Sequence, residues 1–339
     1  MVNVSHTSDS TPSVIKPSLD TIRSVADNVS PFVLRTPTVA WPVIPELRPG
    51  SGELFVKLEL LQRTGSFKAR GAINNIQQLL GNSNAPDLTE HPGVTAFSAG
   101  NHAIATAYAA RSLGISAKVV MPRSANPFRV ERCQQYGAEV VFGETIADLL
   151  SIVKALQADE GRHLIHPFES EHTIAGTAGV GLELCNDIES LDAVIVPVGG
   201  GGLIAGIAAA VKQLQPNCLV FGVEPTGACG MQQSVAQGAP MEKVVVDTIA
   251  DSLGAPMHAP LTFANVRDHV DELVQVSDDE LRAAMRQMFD DMKLAVEPAC
   301  AAALAALNRP LAARLVGKRV ALIACGSNID MASYQRLLA

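Results

Sequence analysis

From about residue 54 the chain alternates short β-branched runs with amphipathic helical stretches, and this alternation limits its possible folds more than any other feature. Leu54 to Leu61, Val94 to Ser98, Ala117 to Met121, Ala138 to Phe142, His163 to Pro167, Ala193 to Val198, Leu219 to Val223 and Arg319 to Ala324 read as strands. Between them lie helical patterns such as Ala72/Ile73/Ile76/Leu79/Leu80, spaced by three and four, and the Ala-rich stretch from Asn101 to Leu113. Strands separated by helices pair in parallel, and the helices cover both faces of the sheet. An α/β protein with mostly parallel sheets is expected, with ligands at the carboxyl ends of strands, where loops enter helices. Beyond Glu224 the chain turns loop-rich, then opens a helix with Ser277 and Glu280 spaced as a capping box.

At 339 residues the chain exceeds what one core usually supports, so two domains are expected. With 47% hydrophobic residues but one Trp, three Tyr and ten Phe, aliphatic and alanine packing must dominate. A formal net charge of −8 without a Lys/Arg-rich run argues against nucleic acid or an anionic membrane as partner, and for a small molecule. The six cysteines show no CxxC pair and no zinc spacing, so reduced thiols in a cytoplasmic protein are expected. The polar N-terminus lacks a signal-peptide pattern and no apolar run reaches membrane-spanning length; residues 1–20 read as a flexible lead. No solenoid repeat or sustained heptad run is present.

Four constellations sit at strand-to-helix junctions. In Thr64-Gly65-Ser66-Phe67-Lys68-Ala69-Arg70-Gly71 a lysine stands at a helix start, where the helix dipole disfavours a positive charge. It is either a solvated turn residue or a lysine held neutral as an imine to an aldehyde cofactor. Gly199-Gly200-Gly201-Gly202-Leu203 removes every Cβ from a loop that enters a helix, so backbone N–H groups can converge on a phosphate; a plain flexible turn is the alternative. Neither GxGxxG nor GxxxxGK[ST] fits, which disfavours a nucleotide. Ser98-Ala99-Gly100-Asn101-His102 is either a donor-rich cup for a carboxylate or an ordinary N-cap with His102 exposed. Cys325, in Ala324-Cys325-Gly326-Ser327-Asn328, reads most simply as a core thiol.

Together SFKARG, SAGNH, the four-glycine loop, Val223-Glu224-Pro225, Thr248-Ile249-Ala250-Asp251, Val296-Glu297-Pro298 and CGSN resemble, in order and spacing, the serine/threonine dehydratases and serine racemases. These are fold-type II, tryptophan-synthase β-like enzymes of pyridoxal 5′-phosphate, and the resemblance runs from about Leu19 to the C-terminus. It implies that Lys68 forms the imine to the cofactor and Phe67 packs near the ring. Gly199, Gly200, Gly201, Gly202 and Leu203 would hold the phosphate, Asn101 the ring hydroxyl, and Cys325 the pyridine nitrogen. Ser98, Ala99, Gly100, Asn101 and His102 would receive the substrate carboxylate. A neutral partner at the pyridine nitrogen makes a weaker electron sink, which favours loss of a leaving group with the Cα proton. The expected reaction is β-elimination of water from a small 3-hydroxy amino acid of the threonine/serine type. Freed Lys68 would take the proton, the cofactor phosphate would assist the departing hydroxyl, and a 2-oxo acid and ammonia would result.

Three departures from the family pattern matter. Ala99 stands where racemases of the family carry a second serine, so racemisation is not expected. The family's divalent cation uses Glu224 and an acid six positions on, here Gly230; Glu224 and Ala228 are the positions left for a metal, and none is assigned. Thr177-Ala178-Gly179 and Ser252 differ from the usual residues near the expected substrate contacts, so specificity can depart from that of a common threonine dehydratase. Phenylserine, 3-hydroxyaspartate and racemisation are the rival chemistries; a catalytically silent carrier of the cofactor is a rival of another class. Arg129, Arg123 and Arg63 lie near motif loops and are expected to be solvated. Residues 61–165 are expected as a small mobile domain, 21–60 plus 166–339 as the large cofactor-binding one, and the protein as a homodimer without a C-terminal regulatory domain.

Overall fold

The computed structural model describes residues 16–41, 52–82 and 88–339. The first elements are α1 (Leu19–Val29), β1 (Thr38–Ala40), β2 (Leu54–Lys57), α2 (Lys68–Gly81), β3 (Val94–Phe97), α3 (Asn101–Ser112), β4 (Ala117–Pro122) and α4 (Pro127–Gln135). There follow β5 (Glu139–Gly143), α5 (Ile146–Glu160), β6 (His163–Leu164), α6 (Glu171–Asp187), β7 (Ala193–Pro197), α7 (Gly202–Leu214), β8 (Leu219–Pro225) and α8 (Gly230–Gln237). The chain ends with α9 (Pro260–His269), β9 (Glu272–Val276), α10 (Asp278–Met292), α11 (Pro298–Asn308), β10 (Val320–Ile323) and α12 (Met331–Leu338). Among these residues no helix is long and apolar enough to cross a membrane.

The strands form two sheets, one of six in the order β1-β2-β10-β7-β8-β9 and one of four in the order β5-β4-β3-β6. Every pairing is parallel except that of β1 with β2. That agrees with the expected α/β architecture, because the central strands read as continuous apolar runs: β7 and β10 are buried at every position. Two strands escaped the sequence reading. β1 is a three-residue edge strand, and β9 lies inside the stretch read as loops. The run from Leu54 to Leu61 is a strand only to Lys57, after which a 3₁₀ turn covers Glu59–Leu61. The capping box of α10 is present, with Ser277 and Glu280 each bonding the other's backbone.

Each sheet has its own apolar core, and the N-terminal helix packs against more than one cluster. Val25, Val29 and Val33 pack into the core of the four-stranded sheet with Ile73, Ile76 and Ile104. Ile22 of α1, the helix that carries Val25 and Val29, packs instead with Ala178, Leu182 and Ala210 on α6 and α7. Of the lead expected over residues 1–20, residues 1–15 lie outside the described ones, and Leu19 and Asp20 already belong to α1.

The 3₁₀ turn has a cause. It carries Glu59, fully buried, to a two-pronged pairing with Arg70 of α2 at 2.9 and 2.8 Å. Arg70 also reaches Glu183 of α6 at 2.7 Å, and buried Lys57 joins the same Glu183 at 2.6 Å. Burial works to raise the Glu59 carboxyl, but Arg70, Thr36 and Lys57 outweigh it and hold it below its ordinary value. Removing one partner of a buried pair leaves a charge uncompensated at a cost of about 3 to 5 kcal/mol. Glu59→Gln is therefore expected to lower stability by about 3 kcal/mol, the low end because Glu183 stays on Arg70. Because the folded carboxyl titrates below its unfolded value, urea unfolding should show the full loss at neutral pH and a shrinking loss as the pH falls through the acid range.

Candidate active site

Lys68 is placed by two loops that zip together across most of the chain. Phe67 N–H donates to the Cys325 carbonyl at 3.1 Å, Ser327 N–H to the Gly65 carbonyl at 2.9 Å, and Asn328 Nδ2 to the Thr64 carbonyl at 2.8 Å. Gly65 turns with φ +72°, and a Cβ there would meet the Asn328 side chain at 2.7 Å, so this turn takes glycine for two reasons. The result is an amine at the first position of α2, partly accessible, 5.2 Å from the centre of the Phe67 ring. Its Nζ donates to the Pro167 carbonyl at 2.7 Å, just past β6. Burial lowers the Lys68 ammonium to about 8, opposed only by nearby Cys325. Burial, with Lys68 adding to it, takes His102 to about 3 and His166 to about 4, so both rings are neutral.

The glycine loop leaves β7 and enters α7 with Gly201 as its N-cap at φ +88°. No side chain caps α7, so its first N–H groups are left for an anion, while Gly199 and Gly200 stay partly accessible. A Cβ on Gly200 would lie 2.1 Å from the Phe168 ring and one on Gly199 3.1 Å from the Leu253 backbone. Leu203 is buried in the second position of the helix. Thr177, expected beside the substrate, lies under this loop instead: its hydroxyl donates to the Gly202 carbonyl at 2.8 Å from within α6.

The SAGNH loop leaves β3 and opens α3, which likewise has no side-chain cap. Ser98 Oγ accepts from Gly100 N–H at 3.1 Å and Ala99 is exposed. His102 is neither exposed nor turned to the cup, for its Nε2 meets the Ile165 carbonyl at 2.7 Å in the interior. Asn101 is held by a buried network: its Nδ2 donates to Glu297 Oε1 at 2.6 Å, and its Oδ1 accepts from Asn328 Nδ2 at 2.6 Å.

Arg129, expected to be solvated, is buried beneath this cup. Its Nε donates to the Asn328 carbonyl at 2.9 Å, Nη1 to Asp251 at 2.5 Å, and Nη2 lies 3.6 Å from Glu297. A Cβ on Gly100 would stand 3.0 Å from Nη1, so the glycine makes room for the guanidinium. Arg123 and Arg63 are exposed, as expected. Sequence reasoning thus missed Arg129, Glu297, Asn328 and Pro167 as parts of the site. Glu297 and Asn328 were visible only as members of motifs, and nothing in spacing assigned them a task.

Cys325 is buried, and a hydrogen bond to Cys300 together with burial pushes its thiol well above the ordinary range, so it stays neutral. Glu224 is fully buried and accepts from the N–H groups of Met231 and Gln232 at 2.8 and 2.7 Å, closing the first turn of α8. Burial raises it to about 7 against those two bonds. A side chain at Gly230 would meet Val244 at 2.4 Å and His258 at 2.6 Å, so an acid there has no room, and Ala228 is buried in the adjoining 3₁₀ turn.

An amine that can deprotonate near neutrality, an uncapped helix start behind glycines, an oriented amide and a neutral thiol fit an aldehyde-bearing aromatic phosphate. The comparisons agree. The family described as pyridoxal-phosphate dependent enzyme matches residues 29–326. The chain is 51% identical over 290 residues, 86% of its own length and 87% of the relative's, to phenylserine dehydratase of Ralstonia pickettii. It is 39% identical over 288 residues, 84% of its length and 86% of the other's, to the catabolic L-threonine dehydratase of Escherichia coli. Among solved structures, maize serine racemase superposes with a TM-score of 0.85 at 35% identity, covering 95% of this chain and 96% of that one. The cofactor is pyridoxal 5′-phosphate, and the chain belongs to the fold-type II family of pyridoxal-phosphate dependent enzymes.

Proposed function

We propose that this enzyme is a dehydratase that removes the β-hydroxyl of a 3-hydroxy amino acid and releases a 2-oxo acid and ammonia, with the bulkier phenylserine, the rival substrate above, preferred to threonine. The observation that carries the reading is Lys68: an amine lowered to about 8, bonded to a carbonyl rather than a carboxylate, facing neutral His102 and His166. When bound, the cofactor supplies an electron sink for the bond broken at the substrate's Cα. The chain's own residues do the rest. The starts of α7 and α3 hold phosphate and carboxylate with backbone N–H groups. Lys68 Nζ receives the Cα proton and keeps it out of water. Neutral Cys325 would be the residue facing the ring nitrogen, where an uncharged partner would leave the cofactor a weak electron sink suited to elimination.

Two features support the substrate class. The 51% relative is named a phenylserine dehydratase. Arg129, the cation at the carboxylate cup, is already engaged by Asp251 and faces Glu297, which disfavours a second substrate carboxylate such as that of 3-hydroxyaspartate. Ala99 offers no hydroxyl for proton return on the opposite face, which favours elimination over racemisation. Closure of the unit of residues 61–165 over substrate is proposed to exclude water, with Arg129–Asp251 and Asn126–Asp330 joining α4 to the other side of the cleft. The six free thiols suit a reducing cytoplasm, and a homodimer is the proposed working state.

Three outcomes are expected. Assays of oxo-acid release should give kcat/KM highest for phenylserine, lower for threonine and lowest for 3-hydroxyaspartate; equal rates for the last would remove the charge argument. Lys68→Ala should lose both the cofactor's visible band and at least about 10³-fold in kcat. Because only the neutral amine captures an aldehyde, the rate at which the cofactor-free protein binds pyridoxal phosphate should rise with pH through about 8, well below a solvated lysine. A midpoint near 10 would mean that Lys68 is not desolvated.

A further inference from the structure

Asn101 has two amide hydrogens, and its orientation is fixed. Its oxygen takes the Asn328 amide at 2.6 Å, so the NH₂ group faces Glu297 at 2.6 Å on one side and the Ser252 hydroxyl at 3.4 Å on the other. The Glu297 bond is short, buried and charge-assisted, and is kept. The Ser252 bond is long and ends on a partly accessible residue; it is the one an incoming acceptor displaces. Ser252 Oγ then retains only Asp251 Oδ1, at 3.3 Å. Two long bonds hold this hydroxyl loosely, so turning it toward the cleft costs little. The Asp251 charge beside it is countered by Arg129.

We propose that Ser252 is a further cofactor-binding residue, its hydroxyl sharing with Asn101 the hydrogen bonding of the cofactor's ring oxygen. This rests on the placement of Asn101 against that oxygen. The position is set by structure: Ser252 lies in the 3₁₀ turn Asp251–Leu253, whose Asp251 is tied to Arg129 and whose preceding residues Thr248 and Ile249 are held by Asp278 at 2.6 and 3.0 Å. The hydroxyl is thus carried on a braced turn.

The test uses full-length Ser252→Ala, Ser252→Thr and Asn101→Ala, each stripped of cofactor and titrated with pyridoxal 5′-phosphate, then scanned for the pH midpoint of the visible band. Ser252→Ala should bind the cofactor about three- to tenfold more weakly, the value of one hydrogen bond, and displace the midpoint. Ser252→Thr should restore both. Affinity that falls while the midpoint stays, or both unchanged while Asn101→Ala shifts the band, would overturn the role of Ser252 and leave the site intact. If Asn101→Ala also changes nothing, the placement of the ring oxygen itself is wrong and the proposal falls with it.

Discussion

The site depends on the pairing of two loops far apart in sequence, Thr64–Lys68 and Cys325–Asn328. Three hydrogen bonds between them put the amine of Lys68 and the thiol of Cys325 at one place and hand Asn328 to Asn101. Both loops are the carboxyl-end continuations of neighbouring parallel strands, β2 and β10, so their meeting follows from sheet order. The buried Glu59–Arg70–Glu183 network lies behind the same helix start and fixes α2 against α6. A change in that network therefore reaches Lys68 through the helix that carries it.

Electrostatically the cleft is arranged around neutrality. Among the described residues Lys68 has no carboxylate partner, the two nearby histidines are uncharged, and Cys325 keeps its proton. The charges that are present, Arg129, Asp251 and Glu297, are spent on one another and on holding Asn101. The role proposed for Lys68, to lose and regain a proton near neutral pH, is helped by this low dielectric. The same frugality marks the family's cation site, where Glu224 is used to close the start of α8 and the neighbouring position has no room for a second acid.

Much of this was legible in the sequence. Alternating runs specified parallel sheets, because a strand buried on both faces must be apolar throughout, and the β7 and β10 segments are. Lys68, the four glycines and the SAGNH loop stood out as candidates because each breaks a local rule: a cation at a helix start, a loop with no Cβ, a helix start with unused donors. What defeated sequence reasoning was orientation. His102 occupies its motif position but turns inward to Ile165, and Thr177 supports the glycine loop from behind, since helical phase decides which way a side chain points.

The amino-acid sequence by itself determined the class of fold, because that rests on periodicity, a local property; it marked Lys68 and the four-glycine loop as candidates, and their proposed cofactor roles come from the family resemblance. Only the tertiary structure decided that Arg129 is buried rather than solvated, that Glu297 and Asn328 orient Asn101, and that α1 divides its apolar face between two cores. Those outcomes depend on which distant chain segments become neighbours, and burial and pairing exist only once they have met.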